Sequence, residues 1–245
     1  RFLNGIRVGD RLMQYFEILF TEQEEGIYID GIMPSLHIYK TNSVELSTRK
    51  TLSQLLEELP QSMHPRALRY RREADAYNFI AGRLLLQRGL EDLGIDDRID
   101  HIQLGESGKP FLRSVSFNIS HTDDWVVCAL SENGHIGIDI EKEEKVDLDN
   151  FRSWFTPTEW STIHESVVPI HQFYRYWTRK ESIIKALGLK LSNLNQMDLD
   201  IRQGMFDAVG KRWYVGELAW EAGYFGAICS EVKLDTAIRM RYIDL

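Results

Sequence analysis

The chain has 245 residues, enough for two closely packed halves, and its 43% hydrophobic and 27% charged residues exclude a disordered segment. Its 29 Lys and Arg against 37 Asp and Glu leave a net charge of −8, which excludes a general nucleic-acid binder, because neutralising phosphates takes a basic excess. No apolar stretch nears the roughly 20 residues that span a bilayer, so no membrane partner is expected.

In chain order, residues 13–59 mix short apolar runs with polar breaks, a strand-like opening that ends in a helix over 51–59. From 65 to 93 the spacing of Leu68, Ala76, Phe79, Ile80, Leu84, Leu86 and Leu90 predicts one helix. Residues 101–104 and 115–119 read as short strands around a Gly-Lys-Pro turn. Two clear strands follow, 125–130 and 135–141, and the Asn-Gly turn between them is a hairpin signal. A helix over 154–165 opens at Thr156-Pro157, with Glu159 completing a capping box. A longer helix runs from about 170 to 187 and stops at Gly188, after which the chain returns to strands. The class is α+β, divided into residues 1–114 and 115–245. Cys128 and Cys229 sit in apolar runs without metal spacing, which predicts buried thiols and a reducing, cytoplasmic setting. The first residues lack a cleavable apolar core, so no signal peptide is expected.

Five short motifs carry chemistry. In Gly137-Ile138-Asp139-Ile140-Glu141, strand alternation puts Asp139 and Glu141 on one face, where two carboxylates repel unless a cation lies between them. Hard oxygens at that spacing suit Mg²⁺. On a helix, Trp177, Glu181, Lys185 and Gly188 share a face, offering a third oxygen ligand and a phosphate-binding ammonium. In Phe117-Asn118-Ile119-Ser120-His121, neighbouring Ser and His face opposite ways, which argues against a catalytic dyad and for donation to phosphate. Residues 64–72 carry Arg66, Arg69, Arg71 and Arg72 with no acid among them, a local reversal of sign suited to a multiply charged anion. Gly108-Lys109-Pro110 is a rigid turn whose backbone could edge a flat ring. Taken singly, each has a plainer reading: a solvated strand face, an i,i+4 ion pair, a turn.

Together and in this order, the motifs resemble the 4′-phosphopantetheinyl transferases, of the larger, monomeric type that activates peptide and polyketide synthetases. The likeness is strong over residues 105–190 and looser over 60–90. It implies two similar α/β halves related by a pseudo-twofold axis, with coenzyme A between them. It also implies transfer of the phosphopantetheine arm to a serine of an acyl or peptidyl carrier protein, releasing adenosine 3′,5′-bisphosphate. By resemblance, Asp139, Glu141 and Glu181 hold Mg²⁺ (Mn²⁺ as a substitute), and Lys185 steadies the developing phosphate charge. Ser120 and His121 grip the phosphates, Lys109 and Pro110 edge the adenine, and Arg66 and Arg69 take the 3′-phosphate. A family arginine falls on Asn78 here, with Arg72 or Arg83 as compensating candidates. Glu181 is the first choice of general base and Glu159 the second. Leu148, Phe151, Trp154 and Phe155 are candidates for carrier docking. The competing expectations are a Mg²⁺-dependent hydrolase of the coenzyme A pyrophosphate and a non-catalytic coenzyme A binder.

Overall fold

The computed structural model describes residues 36–196, 204–234 and 238–245; the expectations for residues 13–35 and for the chain start lie outside them. The elements, in order, are β1 (Leu36–Asn42), α1 (Ser43–Arg49), α2 (Leu52–Glu57), α3 (His64–Ala67), α4 (Glu73–Asp92), β2 (Gln103–Leu104), β3 (Pro110–Phe111), β4 (Ser116–Thr122), β5 (Trp125–Ser131) and β6 (Ile136–Lys142). They continue with α5 (Pro157–His164), α6 (Pro169–Leu187), β7 (Met205–Ala208), β8 (Lys211–Leu218), β9 (Tyr224–Ser230) and β10 (Ile238–Tyr242). The fold is α+β.

Two four-stranded sheets carry it, ordered β10-β1-β5-β4 and β6-β9-β8-β7. Each repeats one plan: a first strand (β1 or β6), a long helix (α4 or α6), then an antiparallel pair whose second strand (β5 or β9) lies beside the first. The sheets pack through Leu36, Ile38, Val127 and Ala129 of the first against Ile136, Ile138, Ile140 and Ile228 of the second. Helix α4 covers the other face of the first sheet, against Phe117, Val126, Cys128 and Leu130. Helix α6 covers the second, where Ile183 and Ala186 meet Trp213, Val215 and Cys229. Strand β5 is therefore buried on both faces, which is why Val126–Leu130 is apolar without alternation.

Several sequence expectations change. The Asn-Gly turn does not close a hairpin: β5 pairs with β1 and β4, and β6 with β9, so the turn carries the chain from one sheet to the other. Strands β4 and β5 belong to the first sheet, which β10 rejoins from the chain's end. The helix expected over 65–93 breaks before α4, where Arg72 is extended. Like charges three apart at 66, 69 and 72 disfavour a continuous helix, whereas Glu73 and Asp75 suit a new N-terminus. The Thr156–Glu159 capping box forms, and Gly188 ends α6 at φ 68°, a conformation that favours glycine.

Candidate active site at the seam between the sheets

Edge strands β4 and β6 run side by side, too far apart for a backbone ladder, and side chains of β4 close the gap. Ile136 N–H donates to Ser116 Oγ (3.2 Å), Ile138 N–H to Asn118 Oδ1 (2.9 Å) and Lys142 N–H to Thr122 Oγ1 (3.1 Å), each pair separated by 20 residues. The fourth rung differs. Ser120 Oγ donates to Asp139 Oδ1 (3.0 Å), and Ile140 N–H bonds the same carboxyl group. The seam thus turns Asp139 towards α6, where Lys185 Nζ donates to Asp139 Oδ1 (2.5 Å) and to Ser120 Oγ (3.0 Å).

Gly137 lets this happen. A Cβ there would sit 2.1 Å from the Ser182 carbonyl oxygen and 2.4 Å from Ala186 N, so β6 crosses α6 backbone to backbone. Two residues along β6, Asp139 faces the helix; two further, Glu141 accepts from Trp177 Nε1 (3.2 Å). Glu181 of α6 completes the group and acts electrostatically with both Asp139 and Glu141. Burial, with the Asp139 charge adding to it, lifts the carboxyls of Glu141 and Glu181 to about 7. Burial also pushes Asp139 up, against the pull of Lys185. For Lys185 burial works against the charge, and the Asp139 carboxylate outweighs it, holding the ammonium above its ordinary range.

Among the described residues no three His, Cys, Asp or Glu side chains are grouped closely enough to hold a metal ion. The donor set nevertheless suits a hard cation. Asp139 Oδ2 is buried with no protein partner, and the Asp139 charge raises the proton affinity of both Glu141 and Glu181, as acids facing a site for positive charge do.

The remaining candidates are spread around this centre. His121 is exposed on the face of β4 opposite Ser120, alongside Phe117 and Ile119. Ser120 is already engaged with Asp139 and Lys185, a partnership its sequence setting did not suggest. Pro110 opens β3 and is half-buried, as is Lys109, whose ammonium reaches the end of α6. Arg66 lies over the Phe79 ring at 5.2 Å, and Arg83 lies over the same ring at 4.9 Å. Arg83 is buried, and that burial together with the charge of Arg66 lowers its pKa. Two guanidiniums sharing one ring repel each other and suit an anion between them. Arg69, Arg71 and Arg72 are exposed.

Two expectations fail on burial. Glu159 is wholly enclosed and bonded to the equally enclosed Lys180 (2.5 Å), so it is not open to a substrate proton. Phe155 is buried against Phe173, Tyr176 and Trp177 and forms core, while Phe151, half-buried, packs on Phe173 and Trp177. Trp154 joins the same cluster half-buried. Leu148 instead edges an open groove with Val146, Pro169 and Ile170. Asn78 is buried on α4, donating to the Asp123 carbonyl (3.4 Å), and cannot stand in for an arginine.

Comparison with known proteins finds matches on both sides of the seam. Residues 135–226 match the model of the 4′-phosphopantetheinyl transferase superfamily, and residues 46–133 that of the 4′-phosphopantetheinyl transferase N-terminal region. The chain is 38% identical over 125 residues to the 4′-phosphopantetheinyl transferase gsp of Aneurinibacillus migulanus, covering 49% of this chain and 52% of that protein. It is 36% identical over 131 residues to a 4′-phosphopantetheinyl transferase of Bacillus subtilis (51% and 58%). A phosphopantetheinyl transferase of Thraustochytrium is 32% identical over 160 residues (57% and 56%). The chain thus spans about half the length of the curated relatives it matches. No helix of the described residues is long and apolar enough to cross a membrane.

Proposed function

The chain belongs to the 4′-phosphopantetheinyl transferase superfamily, and from that membership we propose that it transfers the phosphopantetheine arm of coenzyme A to a serine hydroxyl of an acyl or peptidyl carrier protein. The observation that supports this reading is the buried contact of Ser120, Asp139 and Lys185, with Glu141 and Glu181 in electrostatic reach of Asp139, at the seam where the two halves meet.

In the proposed reaction the serine oxygen forms a bond to the pantetheine-side phosphorus of coenzyme A. The bond between that phosphorus and the bridging oxygen breaks, and adenosine 3′,5′-bisphosphate leaves with the bridging oxygen and the electron pair of that bond. Asp139, Glu141 and Glu181 would hold Mg²⁺, or Mn²⁺ in its place. The ion's contribution when bound is to screen the pyrophosphate charge. Glu181, half-buried beside the other two carboxylates, would accept the serine proton, directly or through a water held by the ion. Lys185 steadies the charge that grows on the leaving phosphate, and Ser120 and Asp139 orient its ammonium. His121 grips phosphate from the far face of β4. Arg66 and Arg83 on the Phe79 ring, with the exposed Arg69, would take the 3′-phosphate. Lys109 and Pro110 offer backbone to the adenine. The chain supplies both walls of its cleft, and the reading is of a cytoplasmic monomer.

The test is intact-mass spectrometry of an apo carrier protein incubated with the chain, coenzyme A and Mg²⁺, with EDTA as control. A Mg²⁺-dependent gain of one phosphopantetheine supports transfer. Coenzyme A consumed with the carrier unchanged replaces transfer with pyrophosphate hydrolysis. Coenzyme A bound but intact, with several carriers unchanged, leaves a binding protein.

A further inference from the structure

The Gly-Lys-Pro loop reaches across the seam with its side chain. Lys109 Nζ donates to the carbonyl oxygen of Ala186 (2.8 Å) and, more distantly, to that of Ile136 (3.4 Å). Ala186 lies in the last turn of α6, where the carbonyls have no partner within the helix and the helix dipole favours a cation. Ile136 is the first residue of β6. These carbonyls flank the closest approach of strand and helix, where Gly137 leaves no room for a side chain between Ser182 and Ala186. The loop itself is pressed against the end of α6, since a Cβ on Gly188 would lie 3.2 Å from Ser107 Oγ and 3.8 Å from Lys109 Cδ. Burial lowers the Lys109 pKa to about 8, which still leaves the ammonium charged at neutral pH.

We infer that Lys109 is a positioning residue, a clip from the first half of the chain that holds the β6–α6 crossing and so sets Asp139 on the strand against Glu181 and Lys185 on the helix. The arithmetic of the crossing supports this. Asp139 is two residues beyond Gly137, and Lys185 is one before Ala186, so a small slide at the crossing becomes a change in the Asp139–Lys185 contact. The inference rests on the proposed transfer for its kinetic consequence, but not for its structural one. It assigns the side chain a task separate from any contact its backbone makes with adenine.

The experiment compares the full chain with K109M, which keeps the stem and removes the donors, and K109R, which restores donors able to reach two carbonyls. Lys109→Leu, which also removes the donors, replaces K109M if that variant does not fold. For K109M, kcat falls on the order of 10- to 100-fold, the range that a misplacement of about 1 Å produces. KM for coenzyme A stays within about twofold. K109R recovers most of the turnover. Hydrogen exchange in K109M quickens over residues 136–142 and 182–189 and is unchanged over 76–90. A raised KM with kcat intact would mean that the side chain grips coenzyme A, which overturns the clip. Unchanged exchange at the crossing overturns it as well. If the unaltered chain transfers nothing, the proposed function fails on its own, and the exchange data still decide the clip.

Discussion

Glu159 and Glu181 differ in what surrounds their carboxylates. Glu159 accepts from Thr156 N–H and faces the Lys180 ammonium, and both partners of the ion pair are wholly enclosed. Glu181 is half-buried beside Asp139 and Glu141. In E159Q the Lys180 ammonium is left buried against a neutral amide, a loss of about 3–5 kcal/mol in unfolding free energy, while molecules that do fold keep their turnover. In E181Q stability holds and transfer falls roughly 10²- to 10⁴-fold, the usual share of a positioned proton acceptor. Urea unfolding and turnover per folded molecule separate the two. An E159Q protein of normal stability that no longer transfers would make Glu159 the base after all.

At the scale of elements, the site is a crossing of one strand and one helix, and Gly137 determines how closely they cross. A methyl group at Gly137 meets backbone atoms of Ser182 and Ala186, which have no rotamer by which to retreat. G137A should therefore lose stability at the upper end of the about 1–3 kcal/mol typical of overpacking, and transfer should fall with it as Asp139 and Lys185 separate. Thermal unfolding and the carrier assay test both; a variant of full stability and activity would show that α6 can lift from β6 without consequence. Pairs within one element were legible in the sequence for the same geometric reason. A period of two puts Asp139 with Glu141, and a spacing of four puts Glu181 with Lys185. The capping box at Thr156 and the stop at Gly188 were equally local. What the sequence left hidden depends on pairing between elements distant in the chain. The Asn-Gly turn signals a hairpin, but β5 finds better partners in β1 and β4, both faces of its apolar run being buried there. Ser120 meets Asp139 only because β4 lies beside β6, and Arg83, on a helix read as core, was secondary until Phe79 brought it beside Arg66.

Across the whole molecule, three ties make the two halves one unit. The apolar layer between the sheets is shared, β10 returns from the second half to pair with β1, and the side chains of β4 ladder onto β6. The ladder is the most exacting of the three, because it works by hydrogen bonds of fixed direction. Asn118 is its central rung. It is buried, and its Oδ1 is the acceptor for the Ile138 N–H, which β9 cannot serve from the opposite edge of β6. N118L keeps the volume but strands that donor, which costs about 1–3 kcal/mol. N118D keeps an acceptor at the same reach and serves as the control, though its added charge lies near Asp139. Because both sheets share one core, the loss should appear as a lower midpoint of a single urea transition, with tryptophan fluorescence and circular dichroism coinciding. Two separate transitions in N118L would mean that the ladder, rather than the apolar layer, couples the halves. An unshifted midpoint would mean that Ile138 N–H is satisfied without Asn118 and that the register of β6 is set by the apolar layer and Lys109 alone.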